Sequence, residues 1–521
     1  MDTVIKQIVI VGGGTAGWLT AAILAADHNA DQGRLLTPAT LQITLIESPD
    51  IASIGVGEGT WPSMRNTLQR IGISETDFLN SCDASFKQGS QFINWCTNTT
   101  DSYFHPFSLP IGTAEMAICP YWLPFRQQVA FADAVSPQPR LCAAGLAPKQ
   151  ISTAEYSFIN NYGYHLDAGK FSNLLQQHAT EKLGVHHVKA HIAQITNNAN
   201  GDIATLVTAD GTVISANLFI DCSGTASLLL GKHYAVPFVP QQHRLFNDSA
   251  LALQVPYDQP DAAIASCTVS TAQPSGWVWD IGLQSRRGVG HVYSSAHCSD
   301  EQAEQQLQRY LHQSGVTDTA QLNWRKLSFK PGHYNKCWHH NCVAIGMAAG
   351  FIEPLEASAL ALVEWSANYL SAQLPLPVSL LTLAAERMNQ AFTRHWQQII
   401  EFLKLHYVLS KRSDHAYWHD HRESSSIPEP LQQLVQLWQH KVPSAQDITH
   451  SDVLFPAASY QYIVYGMHMN TQPYSHLKPS LVQQADQLFA ENAKRRAHQA
   501  AALPDNRQLL NKIRQYGLPP I

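Results

Sequence analysis

The chain has 521 residues, a formal net charge of −6 and a charged fraction of 14%. This slightly acidic balance gives no reason to expect binding to nucleic acid or to a membrane surface, and the length allows a large hydrophobic core. No run of about 18 uninterrupted apolar residues predicts a membrane span. We therefore expect a cytoplasmic globular protein that binds a small molecule.

Cysteines and histidines are abundant but are not arranged as a recognisable site. The nine cysteines include no CxxC pair, which favours reduced, partly buried thiols over disulfides. Histidines stand at 339–340 and at 419 and 421, without the two-plus-two spacing of a zinc site. We predict no metal.

The first predicted element is a buried parallel strand at residues 7–11, QIVIV. The sequence GGGTAG follows at 12–17 and leads into a predicted helix, and a second predicted strand at 41–46 ends at Glu47. This order predicts a Rossmann-like dinucleotide-binding unit with a GxGxxG motif. The spacing to Glu47 is longer than usual, so residues 27–40 are predicted to include a loop insertion.

This unit carries the first group of predicted cofactor contacts. They are Gly12, Gly14, Thr15, Ala16, Gly17 and Glu47. The three glycines allow a tight turn, close approach of a pyrophosphate and close packing of helix on strand. The helix start offers N–H groups and a positive dipole end to phosphates, and the Glu47 carboxylate can accept from a ribose hydroxyl.

Two later segments favour FAD over a nicotinamide cofactor. NLFIDCSG at 217–224 is predicted as a strand into a glycine turn, and it contains Asp221. NCVAIGMAAG at 341–350 is predicted as a strand, a turn and a helix, and it contains Gly346. Hydroxylase-type flavoproteins close such segments over the isoalloxazine, and the chain has no second GxGxxG. We expect reduced flavin to come from a separate flavin reductase.

The middle of the chain is predicted to form an antiparallel sheet, with strands at 250–255, 276–283 and 288–294. After the prolines at 375 and 377 the pattern becomes helical, most clearly at 384–409. The predicted fold class is α/β (α+β), a flavin monooxygenase-type module with an antiparallel substrate sheet and a helical C-terminal region. The predicted domains are 1–374, with an inserted sheet region at about 235–335, and a substrate-capping region at 375–521.

Four features in this order resemble the flavin-dependent tryptophan halogenases. They are GVGEGT at 55–60, ASFK at 84–87, WVWDIG at 277–282, where the family has WxWxIP, and EPLE at 353–356. The similarity extends over residues 5–420 and weakens toward the C-terminus. It implies an enzyme that uses reduced FAD, dioxygen and chloride or bromide to make hypohalous acid, and then halogenates an aromatic ring.

The resemblance also implies roles for individual residues. Lys87 would direct the electrophilic halogen, and Glu356, preferred over Glu353, would polarise the electrophile or take the ring proton. Gly57 and Leu360 would contact the flavin. The start of the helix after EPLE, at Ser358 and Ala359, would bind halide through backbone N–H groups.

On the substrate side, the predicted residues are aromatic or stack on aromatic rings. They are His105, Phe107, Trp277, Trp279, Tyr460 and Tyr462. The resemblance implies that His105 and Phe107 sandwich an indole, and that the two tryptophans, on one face of a strand, separate flavin from substrate. No acidic partner for an amino-acid ammonium is evident, which leaves tryptophan, indole and larger aromatic compounds open.

Two alternatives stand beside the halogenase hypothesis. One is a flavin monooxygenase that hydroxylates an aromatic substrate, and the other is a non-catalytic flavin-binding protein. The paired tryptophans and Lys87 argue against a hydroxylase, because a hydroxylase needs its substrate beside the flavin. The sequence leaves open whether the chain forms a homodimer.

Overall fold

A computed structural model describes residues 4–29, 41–50, 57–98, 100–319, 321–448, 452–472 and 477–521. Residues 30–40 of the predicted loop insertion and residues 55 and 56 of the GVGEGT segment lie outside these ranges. In the described chain, no helix is long and apolar enough to cross a membrane. All nine cysteines are buried, and none forms a disulfide.

The strands are short, as expected for a chain punctuated by glycine and proline. In chain order they are β1 (Gln7–Val11), β2 (Gln42–Glu47), β3 (Gly57–Gly59), β4 (Ser85–Lys87), β5 (Gly89–Ile93), β6 (Ser102–Pro106), β7 (Gly163–Asp167), β8 (His186–Lys189), β9 (Ile192–Asn197), β10 (Ile203–Thr208), β11 (Val213–Ser215), β12 (Leu218–Asp221), β13 (Phe238–Pro240), β14 (Ser249–Pro256), β15 (Thr268–Gln273), β16 (Gly276–Gly282), β17 (Arg286–Tyr293), β18 (Arg325–Ser328), β19 (Gly332–Tyr334), β20 (Trp338–His339), β21 (Cys342–Ala344) and β22 (Gly350–Phe351).

The helices are concentrated in the last third of the chain. In chain order they are α1 (Thr15–His28), α2 (Ser63–Ile71), α3 (Glu75–Ser81), α4 (Cys119–Trp122), α5 (Phe131–Val135), α6 (Gln138–Ala143), α7 (Ala168–Glu181), α8 (Asp300–Gln313), α9 (Ser358–Gln373), α10 (Leu381–Val408), α11 (Ala416–Asp420), α12 (Glu429–Trp438), α13 (Ala457–Gly466), α14 (Pro479–Ala502) and α15 (Asn506–Tyr516).

The chain divides into two compact units, each made of three separate segments. The first unit contains residues 1–84, 166–241 and 330–396, and the second contains residues 85–165, 242–329 and 397–521. The predicted sheet insertion at about 235–335 overlaps the middle segment of the second unit. The predicted domain boundary at 374 stays a prediction.

A six-stranded sheet in the order β20-β21-β12-β1-β2-β8 organises the first unit. β1 lies between β2 and β12, and all three run parallel, with Ile10 opposite Leu45 on one side and Ile220 on the other. β1 is apolar at four of its five positions because both faces are covered. α1 is buried along residues 17–26, as its run of alanine, leucine and isoleucine requires. The predicted strand–loop–helix–strand unit is therefore present.

A seven-stranded sheet in the order β18-β14-β17-β16-β15-β5-β6 organises the second unit. Its strands pair antiparallel except β15 with β5. β14, β16 and β17 are the three strands predicted from the middle of the chain. One face of these strands packs against α8 in a cluster that includes Val278 and Leu307.

The segment at 341–350 forms the predicted strand and turn, and the helix that follows, α9, starts after EPLE at Ser358, where the resemblance placed it. Residues 346–348 form only one 3₁₀ turn, β22 follows, and α9 starts at Ser358. The predicted helix at 384–409 is α10, which starts three residues earlier and ends one residue earlier.

Candidate active site

The first unit contains a cavity of about 600 Å³ at the carboxyl ends of its parallel strands. That is the size of a small-molecule site and the position at which open α/β sheets bind ligands. Nine residues predicted from the sequence line it: Gly12, Gly14, Thr15, Ala16, Glu47, Gly346, Ser358, Ala359 and Leu360. The fold therefore brings together four segments that are up to about 350 positions apart.

The glycine loop is shaped by steric necessity. Gly12 has a φ of +120°, and a Cβ atom there would lie 2.1 Å from the Cys222 carbonyl oxygen. A Cβ atom at Gly17 would lie 1.9 Å from the Gly12 oxygen. Any side chain at either position would separate α1 from the sheet, as predicted for a GxGxxG loop. The α1 N-terminus carries no side-chain cap, so its N–H groups remain available to a phosphate.

Glu47 ends β2 and is fixed by a histidine that the sequence reasoning did not find. His187 Nε2 lies 2.8 Å from a Glu47 carboxylate oxygen, and Gln176 Nε2 lies 3.2 Å from His187 Nδ1. β8 pairs parallel with β2 so that His187 lies opposite Leu45, two positions before Glu47 and therefore on the same side of the sheet as Glu47. The pairing of strands 140 residues apart left no signal in the local sequence.

Two further carboxylates line the cavity. Burial and, as the smaller contribution, the nearby negative charge of Asp167 together raise the pKa of Glu58 to about 7. Glu353 also lines the cavity and is buried. Glu58 belongs to the GVGEGT segment, and its position as the single acidic residue among glycines was the feature of the sequence that could have indicated it as a site residue. Gly57 itself is buried and is not among the residues that line the cavity.

Asp221 is directed to the protein backbone. Its carboxylate accepts hydrogen bonds from the N–H groups of Ser223, Leu229 and Leu230 at 2.7–3.0 Å. These bonds hold the turn that follows β12, whose residues Cys222 and Ser223 line the cavity. The predicted contact of Asp221 with the cofactor stays a prediction.

α9 starts at the cavity wall with unusual backbone geometry. Ala357 has a φ of +52°, and no side chain caps the first turn, so the N–H groups near Ser358 and Ala359 are open to an anion. Glu356, the last residue of the EPLE turn, is buried, and its carbonyl oxygen accepts a 2.8 Å hydrogen bond from the Trp61 indole. This contact fixes the EPLE turn from the side.

FAD fits the residues of the cavity. A glycine loop at an uncapped helix start suits a pyrophosphate, and a carboxylate at the end of β2 suits a ribose. The remaining walls are mostly apolar, with Phe351, Ile352 and Leu362 among them, which suits a flavin ring. The cavity therefore has both the polar and the apolar parts that the cofactor needs.

Lys87 lies in the second unit and is almost completely buried, with 1% of its surface exposed. It ends β4, which pairs antiparallel with β7 so that Lys87 faces Gly163. Its Nζ atom lies 5.3 Å from the centroid of the Phe107 ring. A buried ammonium on a strand is held far more rigidly than an ordinary surface lysine.

The second unit also contains the predicted substrate residues His105, Tyr460 and Tyr462 in one aromatic cluster, and Phe107 close to Lys87. The His105 ring lies 5.8 Å from Phe402 and 6.1 Å from Tyr462. Tyr462 donates a 3.0 Å hydrogen bond to the Ser108 carbonyl, and the Tyr460 ring lies 5.0 Å from Phe402. Phe107 is held by a hydrogen bond from its N–H to the Gln88 carbonyl. Burial raises the pKa of both tyrosines.

A carboxylate that the sequence reasoning missed accompanies this cluster. Glu401 is 8% exposed, and its negative charge helps to raise the pKa of Tyr460. Burial in turn raises the pKa of Glu401 itself. Glu401 precedes Phe402 on α10, 59 positions from Tyr460, so only the packing of α10 against α13 could reveal the pair.

Trp277 and Trp279 share one face of β16, as their spacing predicted. Their ring centroids are 6.4 Å apart, and Trp277 lies at the same distance from Trp95. The opposite face carries Val278 in the cluster under α8. Their role as a wall between flavin and substrate stays a prediction.

Comparisons with known proteins identify the family of the chain. The tryptophan halogenase family model matches residues 7–483. A tryptophan 7-halogenase from Lentzea aerocolonigenes is 33% identical over 440 residues, which are 81% of this chain and 80% of that protein. The crystal structure of a tryptophan halogenase from Shewanella frigidimarina NCIMB 400 is 57% identical with a TM-score of 0.97, covering 100% of both chains.

A further structure, a flavin-dependent halogenase from Brevundimonas sp. BAL3, is 32% identical with a TM-score of 0.84 and covers 98% of this chain and 99% of that one. The similarity thus extends over both units and favours halogenation over the alternative of aromatic hydroxylation. The chain belongs to the tryptophan halogenase family and is a flavin-dependent halogenase that requires FAD and a halide.

Proposed function

We propose that the protein halogenates tryptophan, indole or a related aromatic compound with chloride or bromide, reduced FAD and dioxygen, and that Lys87 directs the halogen. The observation that carries the proposal is the buried Lys87 ammonium, 5.3 Å from the Phe107 ring centroid. A cation held beside an aromatic ring in a buried place can orient both an electrophile and a stacked substrate.

The cavity of the first unit is the proposed cofactor site. Thr15 and Ala16 at the start of α1 would hold the pyrophosphate, and Glu47 would hold a ribose. When bound, reduced FAD activates dioxygen for the oxidation of halide to hypohalous acid. The uncapped N–H groups at Ser358 and Ala359 would bind the halide ion through partial positive charge.

Lys87 is proposed to act on the hypohalous acid as a hydrogen-bond donor. The carbon–halogen bond forms as the oxygen–halogen bond breaks, and the oxygen leaves as water with a proton from the ammonium. The ring then loses its proton to a base, for which we propose Glu356, and Lys87 regains a proton. The sum is one arene and one hypohalous acid converted to one haloarene and one water.

The aromatic substrate is proposed to stack near His105 and Phe107, with Tyr460 and Tyr462 at the other end. Glu401 extends this proposal, because a buried carboxylate beside Tyr460 could accept the ammonium of an amino-acid substrate. A comparison of tryptophan with indole as substrates addresses this directly.

We propose a separate flavin reductase as the source of reduced FAD, since GxGxxG occurs once as a strand-to-helix turn in the sequence. A cytoplasmic location suits such a pair of enzymes, because NADH supports the reductase there. A homodimer is compatible with the proposal.

The experiment that tests the proposal is a turnover assay with the purified protein, FAD, a flavin reductase with NADH, and dioxygen. Chloride or bromide is offered with tryptophan, indole and phenols, and products are read by mass spectrometry. A halogen isotope pattern on a product is the expected result. A halide-independent gain of one oxygen, or no product from any arene while FAD is bound, would contradict the proposal.

A further inference from the structure

His165 is a titratable residue on β7, the strand that pairs with the strand of Lys87. β4 and β7 pair so that Ser85 faces His165 and Lys87 faces Gly163. Directly opposed residues project from the same side of a sheet, as do residues two positions apart along a strand. Lys87 and His165 are therefore diagonal neighbours on one side of this strand pair, within reach of a long side chain.

The His165 ring is completely buried, with 0% of its surface exposed, and only one of its nitrogens is satisfied. Nε2 lies 2.8 Å from the Thr268 hydroxyl. Nδ1 is buried and has no hydrogen-bond partner among the described residues. An unsatisfied polar atom in such a place is destabilising, and buried polar atoms are otherwise almost always hydrogen-bonded, so the open Nδ1 position calls for an explanation.

The electrostatics decide what His165 can do. Burial lowers the pKa of His165 well below its usual range, and the positive charge of Lys87 lowers it further. The imidazole is thus uncharged. An ammonium can only donate hydrogen bonds, so its presence favours the tautomer with the Nδ1 lone pair free and Nε2–H donated to Thr268. Such a ring offers an acceptor without adding a repelling charge.

We propose that His165 is a positioning residue for Lys87, whose ammonium donates a hydrogen bond to Nδ1 through one bridging water molecule. The remaining N–H bonds of the ammonium are then held in fixed directions, which aims one of them at the hypohalous acid. The hydrogen bond between Nε2 and the Thr268 hydroxyl fixes the orientation of the ring. The inference rests on the proposed role of Lys87, and it assigns no proton transfer to His165 itself.

The test separates oxidant formation from oxidant delivery. Holoenzyme with reductase, NADH, dioxygen and bromide is given tryptophan or indole together with a 1,3-diketone that traps free hypohalous acid. The ratio of halogenated diketone to halogenated arene measures how often the oxidant escapes. We expect His165→Leu to raise this ratio by roughly tenfold, with the FAD dissociation constant and the melting temperature close to wild type.

Conservative and matched variants sharpen the result. His165→Gln retains an acceptor and is expected to restore most of the wild-type ratio, and Thr268→Val is expected to raise the ratio where Thr268→Ser does not. His291→Leu is the matched control, because His291 is an equally buried histidine whose ring Nδ1 faces the Ala303 carbonyl of α8. It should leave the ratio unchanged.

The outcomes separate the two proposals. A wild-type enzyme that yields neither trapped halogen nor haloarene contradicts the proposed function. A wild-type enzyme that halogenates, with His165→Leu at the wild-type ratio, overturns the role of His165 alone. If His165→Leu does not fold, Thr268→Val and Thr268→Ser are compared instead. An equal ratio of halogenated diketone to halogenated arene in these two variants would overturn the inference.

Discussion

The Lys87 ammonium lies 5.3 Å from the centroid of the Phe107 ring. The two residues come from neighbouring strand ends, and the hydrogen bond from the Phe107 N–H to the Gln88 carbonyl holds them side by side. The pair places a positive charge and a half-buried aromatic surface next to each other. This is the arrangement on which we base the reaction at Lys87.

Removal of the Phe107 ring should weaken substrate binding. Phe107→Leu is expected to raise KM for an aromatic substrate about three- to tenfold, since an aromatic pair contributes about 0.5–1.5 kcal/mol beyond its buried area. Steady-state kinetics measures this, with Phe107→Tyr expected near wild type. Phe104→Leu, a change of another half-buried phenylalanine three positions earlier, is the control. Equal KM values for all variants would remove Phe107 from the substrate site.

Loss of the Lys87 amine should stop delivery of the halogen. Lys87→Ala is expected to lower haloarene formation by at least about a hundredfold, the scale of a lost proton donor, while FAD binds within about twofold of wild type. Product is measured by mass spectrometry, and FAD binding by flavin fluorescence. Halogenation at the wild-type rate would disprove the role of Lys87. Because Lys87→Ala could lose FAD binding through altered packing, Lys87→Met is made in parallel to preserve the packing.

Substitutions of the two glutamates in the EPLE turn should have different effects on the reaction rate and on FAD affinity. Glu356→Gln is expected to slow the reaction by roughly ten- to a hundredfold without a change in FAD affinity. Glu353→Gln, which alters a residue that lines the cofactor cavity, is expected to change FAD affinity more than the rate with saturating FAD. Single-turnover rates and FAD titrations measure both effects. The reverse pattern would transfer the role of base to Glu353.

The carboxylate of Glu47 should contribute to cofactor affinity. Glu47→Gln is expected to raise the FAD dissociation constant about tenfold or more, because a hydrogen bond to a charged acceptor contributes about 1.5–3 kcal/mol. Asp202→Asn is the matched control. Asp202 pairs with His340 as Glu47 pairs with His187, and its side chain is 20% exposed against 22% for Glu47. Equal FAD affinity in both variants would exclude Glu47 from the ribose site.

Glu364 should make stability depend on pH. It is 2% exposed and accepts hydrogen bonds from Ser63 at 2.9 Å and Thr67 at 2.5 Å, yet burial raises its pKa from the ordinary 4.5 to about 7. The folded state therefore binds a proton at Glu364 more tightly than the unfolded state. As a consequence, the contribution of Glu364 to the free energy of unfolding falls as pH rises from about 4.5 to about 7, and it stays constant above pH 7.

A shift of this size corresponds to roughly 3 kcal/mol. Glu364→Gln is expected to flatten the pH dependence of denaturant unfolding between pH 5 and 7, an interval set by the pKa shift. Some slope should persist, because the pKa of Glu58 is raised in the same direction. A slope identical to wild type would show that Glu364 is ionised in the folded protein without penalty.

Local patterns in the sequence determined the elements that are built from neighbouring residues. The apolar run at 7–11, the glycine loop and the strand ending at Glu47 could be recognised because backbone sterics and helix-end electrostatics act over a few residues. The same holds for the strands of the middle sheet and for the paired tryptophans at 277 and 279. The family resemblance then identified Lys87 as the residue of interest.

Only the tertiary structure decided which side chains meet. His187 reaches Glu47, Glu401 approaches Tyr460, and His165 comes beside Lys87 through strand pairing or helix packing between distant segments. The two units are likewise assembled from alternating segments. Burial and the resulting pKa shifts depend on everything packed around a group, and that information is spread over the whole chain, so no local pattern could contain it.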